Sequence, residues 1–324
     1  MSLMISQISE QLRQKLKVFF LADDIIFNNK VIPISQENFS EIKSADNCVV
    51  GVTGTKIAFV DGGQAEILAG GNLSLSFIRV FVSVMQGGKK VQSVVYEFYV
   101  LTTAVYRKGE IWYEGKIFQE KGEKLVNEDD LVVCSIDSSI RQGAERAAIS
   151  VVSSMARRFA ELKVASQIDA DYVLLDGTLA GTYVNEEKYL CLLGVNVGAL
   201  AKSCSLFTTC GNSPVVLLQK ISPIQGCWSY FVEGKSYFVK LHARAKHVFR
   251  FEGNVEMLGL LVENSCDALF LGYPYGLIVA DKMARVSNAE RDGLKMKLLL
   301  REENREFVDY LNAVNAHDIL DRLG

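Results

Sequence analysis

The hydrophobic period of this chain switches part-way along, and that switch restricts the possible folds more than any other feature. From residue 52 to 118 the apolar and β-branched residues come in long runs: Lys56 to Val60, Ala65 to Ala69, Leu73 to Met85, Val91 to Tyr106 and Ile111 to Phe118. Turn signals separate them, among them Gln86-Gly87-Gly88-Lys89 and Arg107-Lys108-Gly109-Glu110. Runs punctuated in this way predict an antiparallel meander. The spacing then becomes helical. Asp137, Ser138 and Ser139 offer N-caps, and a helix is expected to run to about Val164. A further strand follows at Tyr172 to Leu175, another apolar run at Tyr189 to Val197, and mostly helical stretches at 255–269 and 277–322. This order is that of an α/β, ribonuclease H-like fold: a mixed sheet with flanking helices, its first strand central and its fourth beside it. Residues 214–252 look like β-hairpins around Gly234-Lys235, as an insertion at about 206–254. Residues 5–20 place Ile8, Leu12, Leu16 and Phe19 on one helical face, so residues 1–50 read as an N-terminal helical arm and 51–324 as the main domain.

Two strands of this layout end in the same way. Val60-Asp61-Gly62-Gly63 and Leu175-Asp176-Gly177-Thr178 each stop an apolar run with aspartate and glycine. Taken singly, each is an ordinary Asp-Gly turn. Taken as parallel neighbours, they bring two carboxylates together at the edge where open α/β sheets bind ligands. Like charges that close need a cation or a raised pKa, which makes a divalent metal the first hypothesis.

Further acids fit that hypothesis. On the expected long helix Glu145, Ala148, Ile149, Val152, Phe159 and Leu162 share a face by spacing, so Glu145 is expected to point inward. The alternative is a partly exposed or ion-paired glutamate. Asp281 interrupts the apolar Leu277-Ile278-Val279-Ala280 that follows the turn Gly272-Tyr273-Pro274-Tyr275-Gly276. Four hard oxygen donors suit Mg²⁺ or Mn²⁺, and paired ions about 3.5–4 Å apart serve phosphoryl transfer. Lys202, in Ala199-Leu200-Ala201-Lys202-Ser203, is placed to meet a phosphate or else snorkels at the surface. Lys235, Lys240, His242, Arg244, Lys246, His247 and Arg250 alternate with Tyr237, Phe238, Phe249 and Phe251. Such a run either tracks a nucleic-acid backbone, with Lys240, Arg244 and Lys246 as the contacts, or forms a solvated strand face.

Composition narrows the classes. The chain has 324 residues with a net charge of −3, which argues against a surface coated in positive charge while allowing a local basic groove. Its seven cysteines form no Cys-x-x-Cys pair, so a zinc site or disulfide framework is not expected, and a reducing cytoplasm is. No run reaches the ~18 apolar residues of a membrane span. Gly-x-x-x-x-Gly-Lys and Gly-x-Ser-x-Gly are both missing from the sequence, and His242, His247 and His317 lack paired metal spacing.

Val60-Asp61-Gly62, Leu175-Asp176-Gly177-Thr178-Leu179, the segment ending at Lys202, and Gly272-Tyr273-Pro274-Tyr275-Gly276 with Leu277-Ile278-Val279-Ala280-Asp281-Lys282 together resemble the NurA nuclease family. The resemblance runs from about residue 50 to the C-terminus. It implies a manganese-dependent DNA nuclease with 5′-to-3′ exonuclease and single-strand endonuclease activity. It also implies a homodimer that docks on a hexameric HerA-type ATPase in DNA end resection and double-strand break repair. By motif, the metal acids carry over to Asp61, Glu145 and Asp176, the family tyrosine to Tyr273, and a lysine to Lys202. Some members have histidine where this chain has Asp281, which moves that position toward metal ligation. A rival with the same turns is an actin- or hexokinase-like Mg-nucleotide phosphotransferase, although a second, duplicated domain is not legible. The other rival is a non-catalytic scaffold for a DNA translocase.

Overall fold

The computed structural model describes residues 2–17, 23–43, 54–141 and 143–314. The elements are α1 (Ser2–Lys17), β1 (Ile25–Phe27), β2 (Lys30–Ile32), β3 (Phe39–Glu41), β4 (Lys56–Ala69), β5 (Leu73–Gln86), β6 (Lys89–Arg107), β7 (Glu110–Lys121) and β8 (Val132–Cys134). There follow α2 (Val151–Gln167), β9 (Tyr172–Asp176), α3 (Glu187–Leu190), β10 (Val197–Ala201), α4 (Pro214–Ile221), β11 (Trp228–Glu233), β12 (Ser236–Lys240) and β13 (Phe249–Glu252). The chain closes with α5 (Leu258–Asn264), α6 (Tyr275–Ala284), α7 (Asn288–Leu299) and α8 (Arg305–Val314). The chain divides into two compact units. One comprises Met1–Gly54, Asp176–Thr178 and Gly198–Tyr275, and the other Thr55–Leu175, Leu179–Val197 and Gly276–Gly324.

The second unit carries the expected meander. Its strands run in the order β9-β4-β5-β6-β7-β8. All neighbours are antiparallel except β4 and β9, which pair in parallel from Ile57↔Tyr172 to Val60↔Leu175. A mixed sheet with the first strand central and the later strand beside it is the ribonuclease H-like pattern. β5 reads as a nearly continuous apolar run because both of its faces are covered, and Ile78, Val80 and Val82 are fully buried. Helix α2 packs on β4 through β7 and buries Val152, Phe159 and Leu162 completely. A smaller cluster at the far end of β4 joins Ile67, Leu68 and Phe77 to Leu311, with Leu294 and Leu298 packed against it.

In the first unit the strand order is β3-β11-β12-β13-β10, antiparallel throughout. Its core gathers Ile25, Phe27, Phe39, Leu218, Trp228, Tyr230, Phe238 and Val248. The expected hairpin turn at Gly234 is present, with the glycine at φ +59° between β11 and β12.

Several local expectations are corrected. Ala65 to Ala69 is no separate run, because β4 passes straight through Asp61-Gly62-Gly63 without a turn. The chain from Tyr189 to Val197 is no strand: Tyr189 and Leu190 close the short helix α3, and the strand begins only at Val197. Residues 214–221 are helical, with Pro214 in the first turn where its missing N–H costs nothing. Within residues 1–50 the helix is followed by β1, β2 and β3, so the arm is not purely helical, and Ile8 and Leu12 on its apolar face are exposed. Phe19, Cys48, His317 and the proposed boundary at residue 50 lie outside the described residues.

Candidate metal centre

Two glycines explain why Asp61 sits where it does. A Cβ on Gly62 would lie 2.4 Å from Glu161 Oε1 and 2.9 Å from Arg157 Cγ, both on α2. A Cβ on Gly63 would lie 2.2 Å from the carbonyl oxygen of Ala284, at the end of α6. The Gly-Gly pair therefore serves close approach of two helices to a continuous strand, where the sequence alone suggests a turn. Asp61 is held mid-strand and 8% exposed, and its Oδ1 accepts from the Gly62 N–H at 2.8 Å.

The second Asp-Gly does end a strand. Asp176 is the last residue of β9, and Gly177 follows at φ +109°, a conformation that L side chains rarely adopt. The Gly177 N–H donates to Leu200 O of β10 at 3.1 Å. Because Val60 pairs with Leu175, Asp61 and Asp176 each follow a paired residue of the parallel ladder. Asp281 comes from the second turn of α6. One carboxylate oxygen from each of Asp61, Asp176 and Asp281 lies within 4.8 Å of the other two.

Each of these acids has a basic neighbour. Lys202, the residue after β10, places Nζ 2.5 Å from Asp176 Oδ2. Tyr273 is buried, makes a long 3.5 Å contact from its hydroxyl to Asp176 Oδ1, and has Lys202 Nζ 5.9 Å from its ring centre. Arg285 pairs with Asp281 at 3.0 Å. Arg157 donates to Glu161 at 2.5 Å and to Gly62 O at 3.1 Å. Glu161 first, then Asp61, raises the Arg157 pKa, against an opposing effect of burial.

Glu145 is not brought to this cluster. It lies exposed in a bend before α2, which starts at Val151. The reason is local: the Ala147 N–H donates to Ser135 O at 2.8 Å, and Ala147 O accepts from the Tyr113 hydroxyl at 2.6 Å. Arg146 is tied to Ser135 and Glu110. These bonds pin the segment to the meander and take Ala147 out of any helical ladder, leaving Glu145 in solvent. The carboxylate that α2 does supply beside Asp61-Gly62 is Glu161, 4% exposed. The sequence held a sign of it, since Glu161 stands between Ala160 and Leu162 on a helix whose buried stripe is broad.

The basic run is also rearranged. Lys240 ends β12, but 241–248 is a turn, so Arg244 and Lys246 project from a loop and not from a strand face. Arg250 is committed to Glu252 at 2.6 Å and to the Phe27 ring, 5.0 Å from its centre.

Three acids converging on one point suit a hard divalent cation. Their oxygens, mutually within 4.8 Å, are near enough for one such cation to take a ligand from each. A single carboxylate so buried is costly without a compensating charge.

No protein-family model and no curated protein matches this chain. Solved structures do. The fold is similar to that of a NurA nuclease. That structure, from Sulfolobus solfataricus, is 12% identical, with 92% of each chain covered and a TM-score of 0.47. Ciona intestinalis endonuclease V, in complex with inosine-containing DNA, is 13% identical over 86% of this chain and 96% of that one, with a TM-score of 0.35. Human endonuclease V is 10% identical over 77% and 91%, with a TM-score of 0.38. Among the described residues, no helix is long and apolar enough to cross a membrane.

Proposed function

We propose that this protein is a divalent-metal-dependent DNA nuclease of the NurA kind. The observation that carries the reading is the convergence of Asp61, Asp176 and Asp281 from β4, β9 and α6, with oxygens mutually within 4.8 Å. Mn²⁺ or Mg²⁺ held there would supply Lewis-acid charge to a phosphodiester and an attacking water, in a two-metal arrangement. Lys202, 43% exposed and beside Asp176, contacts the scissile phosphate and offsets charge that develops on it. Tyr273 orders Asp176 and Lys202 through its hydroxyl and its ring face. Lys240, Arg244 and Lys246 hold the DNA backbone. The motif set around Asp61, Asp176, Lys202 and Tyr273 supports the finer reading of a homodimeric 5′-to-3′ exonuclease and single-strand endonuclease. Its work would be DNA end resection, alongside a HerA-type hexameric ATPase.

The test is incubation of end-labelled single- and double-stranded DNA with Mn²⁺, Mg²⁺ or EDTA. Wild type cleaves with metal and is silent in EDTA. Asp61→Asn and Asp176→Asn fold normally by circular dichroism and lose cleavage. Cleavage retained by either variant would refute the assignment.

A further inference from the structure

Tyr273 belongs to a chain of rings that reaches the surface. Its ring stands edge-on to Phe249 at 5.1 Å and to Phe270 at 6.0 Å. Phe270 in turn stacks on His247, centroids 5.1 Å apart and planes 27° from parallel. The inner members, Tyr273 and Phe249, are buried, whereas Phe270 is 40% exposed and His247 is exposed as well. The outer pair is therefore a stack of exposed rings that leads inward through Tyr273 to the Asp176 carboxylate.

The stack is built rather than accidental. The Tyr273 N–H donates to Phe270 O at 3.2 Å, and the Gly272 N–H donates to Ser265 O at 2.8 Å, which fixes the loop that carries Phe270. A Cβ on Gly272 would lie 2.5 Å from Ala245 Cβ, so the loop seats directly on the turn that presents Arg244, Lys246 and His247. Exposed cations thus flank exposed rings. This is the pairing that holds single-stranded nucleic acid: charge for the backbone and a π-face for a base, which a paired base inside a duplex cannot offer.

We infer that Phe270 and His247 form a stacking subsite for one unpaired nucleobase of the strand held at the Asp61–Asp176–Asp281 centre. The inference rests on the nuclease reading and adds to it a specific contact, the stacking of one base that is unpaired next to the cleaved bond. A fully paired duplex offers no base to these rings.

The test is binding of oligonucleotides to the full chain in Ca²⁺, followed by 2-aminopurine fluorescence. Loss of one stacked base corresponds to roughly a 5- to 150-fold weakening. Phe270→Ala should weaken single-stranded DNA by that factor and abolish quenching of 2-aminopurine, while Phe270→Trp restores both. A series of oligonucleotides with one abasic site moved along the strand should contain one position whose loss matches the Phe270→Ala effect. At that position the two losses should not add. Full additivity at every position, or a Phe270→Ala protein that binds single strands as tightly as wild type, would overturn the subsite. Cleavage in Mn²⁺ by wild type and Asp61→Asn is run alongside. Failure of that arm strikes the nuclease reading, and failure of the stacking arm strikes only this inference.

Discussion

Replacing Gly63 with alanine tests whether close helix approach, and not a turn, is what the Asp-Gly-Gly segment provides. The new Cβ would lie 2.2 Å from Ala284 O, 2.7 Å from Ala284 C and 3.1 Å from Arg285 Cα. All three are backbone atoms, so no side chain can swing aside. An unstrained C···O contact needs about 3.2–3.5 Å, so the end of α6 must move from β4 by about 1 Å. Overpacking of this kind costs about 1–3 kcal/mol. Asp281 lies one turn before Arg285 on the displaced segment and shares its Arg285 pairing. Misplacement by about 1 Å of a group that positions a reaction costs on the order of 10² in rate. Gly63→Ala should therefore melt lower by several degrees, bind Mn²⁺ more weakly by calorimetry, and cleave about 10²-fold more slowly. Gly293→Ala is the control. It lies in α7 with nothing within 4 Å of its Cβ, so it should raise stability by about 0.5–1 kcal/mol and leave metal affinity alone. A Gly63→Ala protein with wild-type melting and Mn²⁺ affinity would refute the close-approach argument.

Other outcomes follow from the same contacts. Lys202→Met removes the cation 2.5 Å from Asp176, so Mn²⁺ affinity should rise while cleavage falls roughly 10²-fold; a parallel fall in both would show the lysine to be merely structural. Asp23 is buried. Burial works to raise its pKa, but hydrogen bonds from Thr208, the Cys210 N–H, Thr209 and Asn212 together lower it to about 2. An unfolded aspartate titrates near about 3.9, so this stabilisation is full above that value and is lost as pH falls through about 2. The stability gap between wild type and Asp23→Asn, no more than about 2.6 kcal/mol at pH 6, should shrink in denaturant titrations at pH 2.5, and a constant gap would count against the clamp. Glu161→Gln should loosen Arg157 and Gly62 and lower Mn²⁺ affinity with little loss of helix, as read by calorimetry and circular dichroism.

The sequence by itself determined the order of elements from the meander to the strand that ends at Asp176, because hydrophobic period is a local property. The meander at 56–121, the strand at 172–176 and the late helices could all be read from it. Asp61, Asp176 and Asp281, each an acid that breaks an apolar run, could be picked out there as candidates, and the structure brings the three together. What it could not determine was set by contacts far apart in the chain. Glu145 left the helix because Ala147 bonds to Ser135 and Tyr113. Gly62 and Gly63 read as a turn because nothing local announces that Glu161 and Ala284 press on them. The basic residues looked like one strand face until Gly272 seated its loop against Ala245, in the turn at 241–248. Local pattern fixes which residues prefer strand or helix, but long-range packing decides which hydrogen bonds a segment can keep, and so which carboxylate reaches the site.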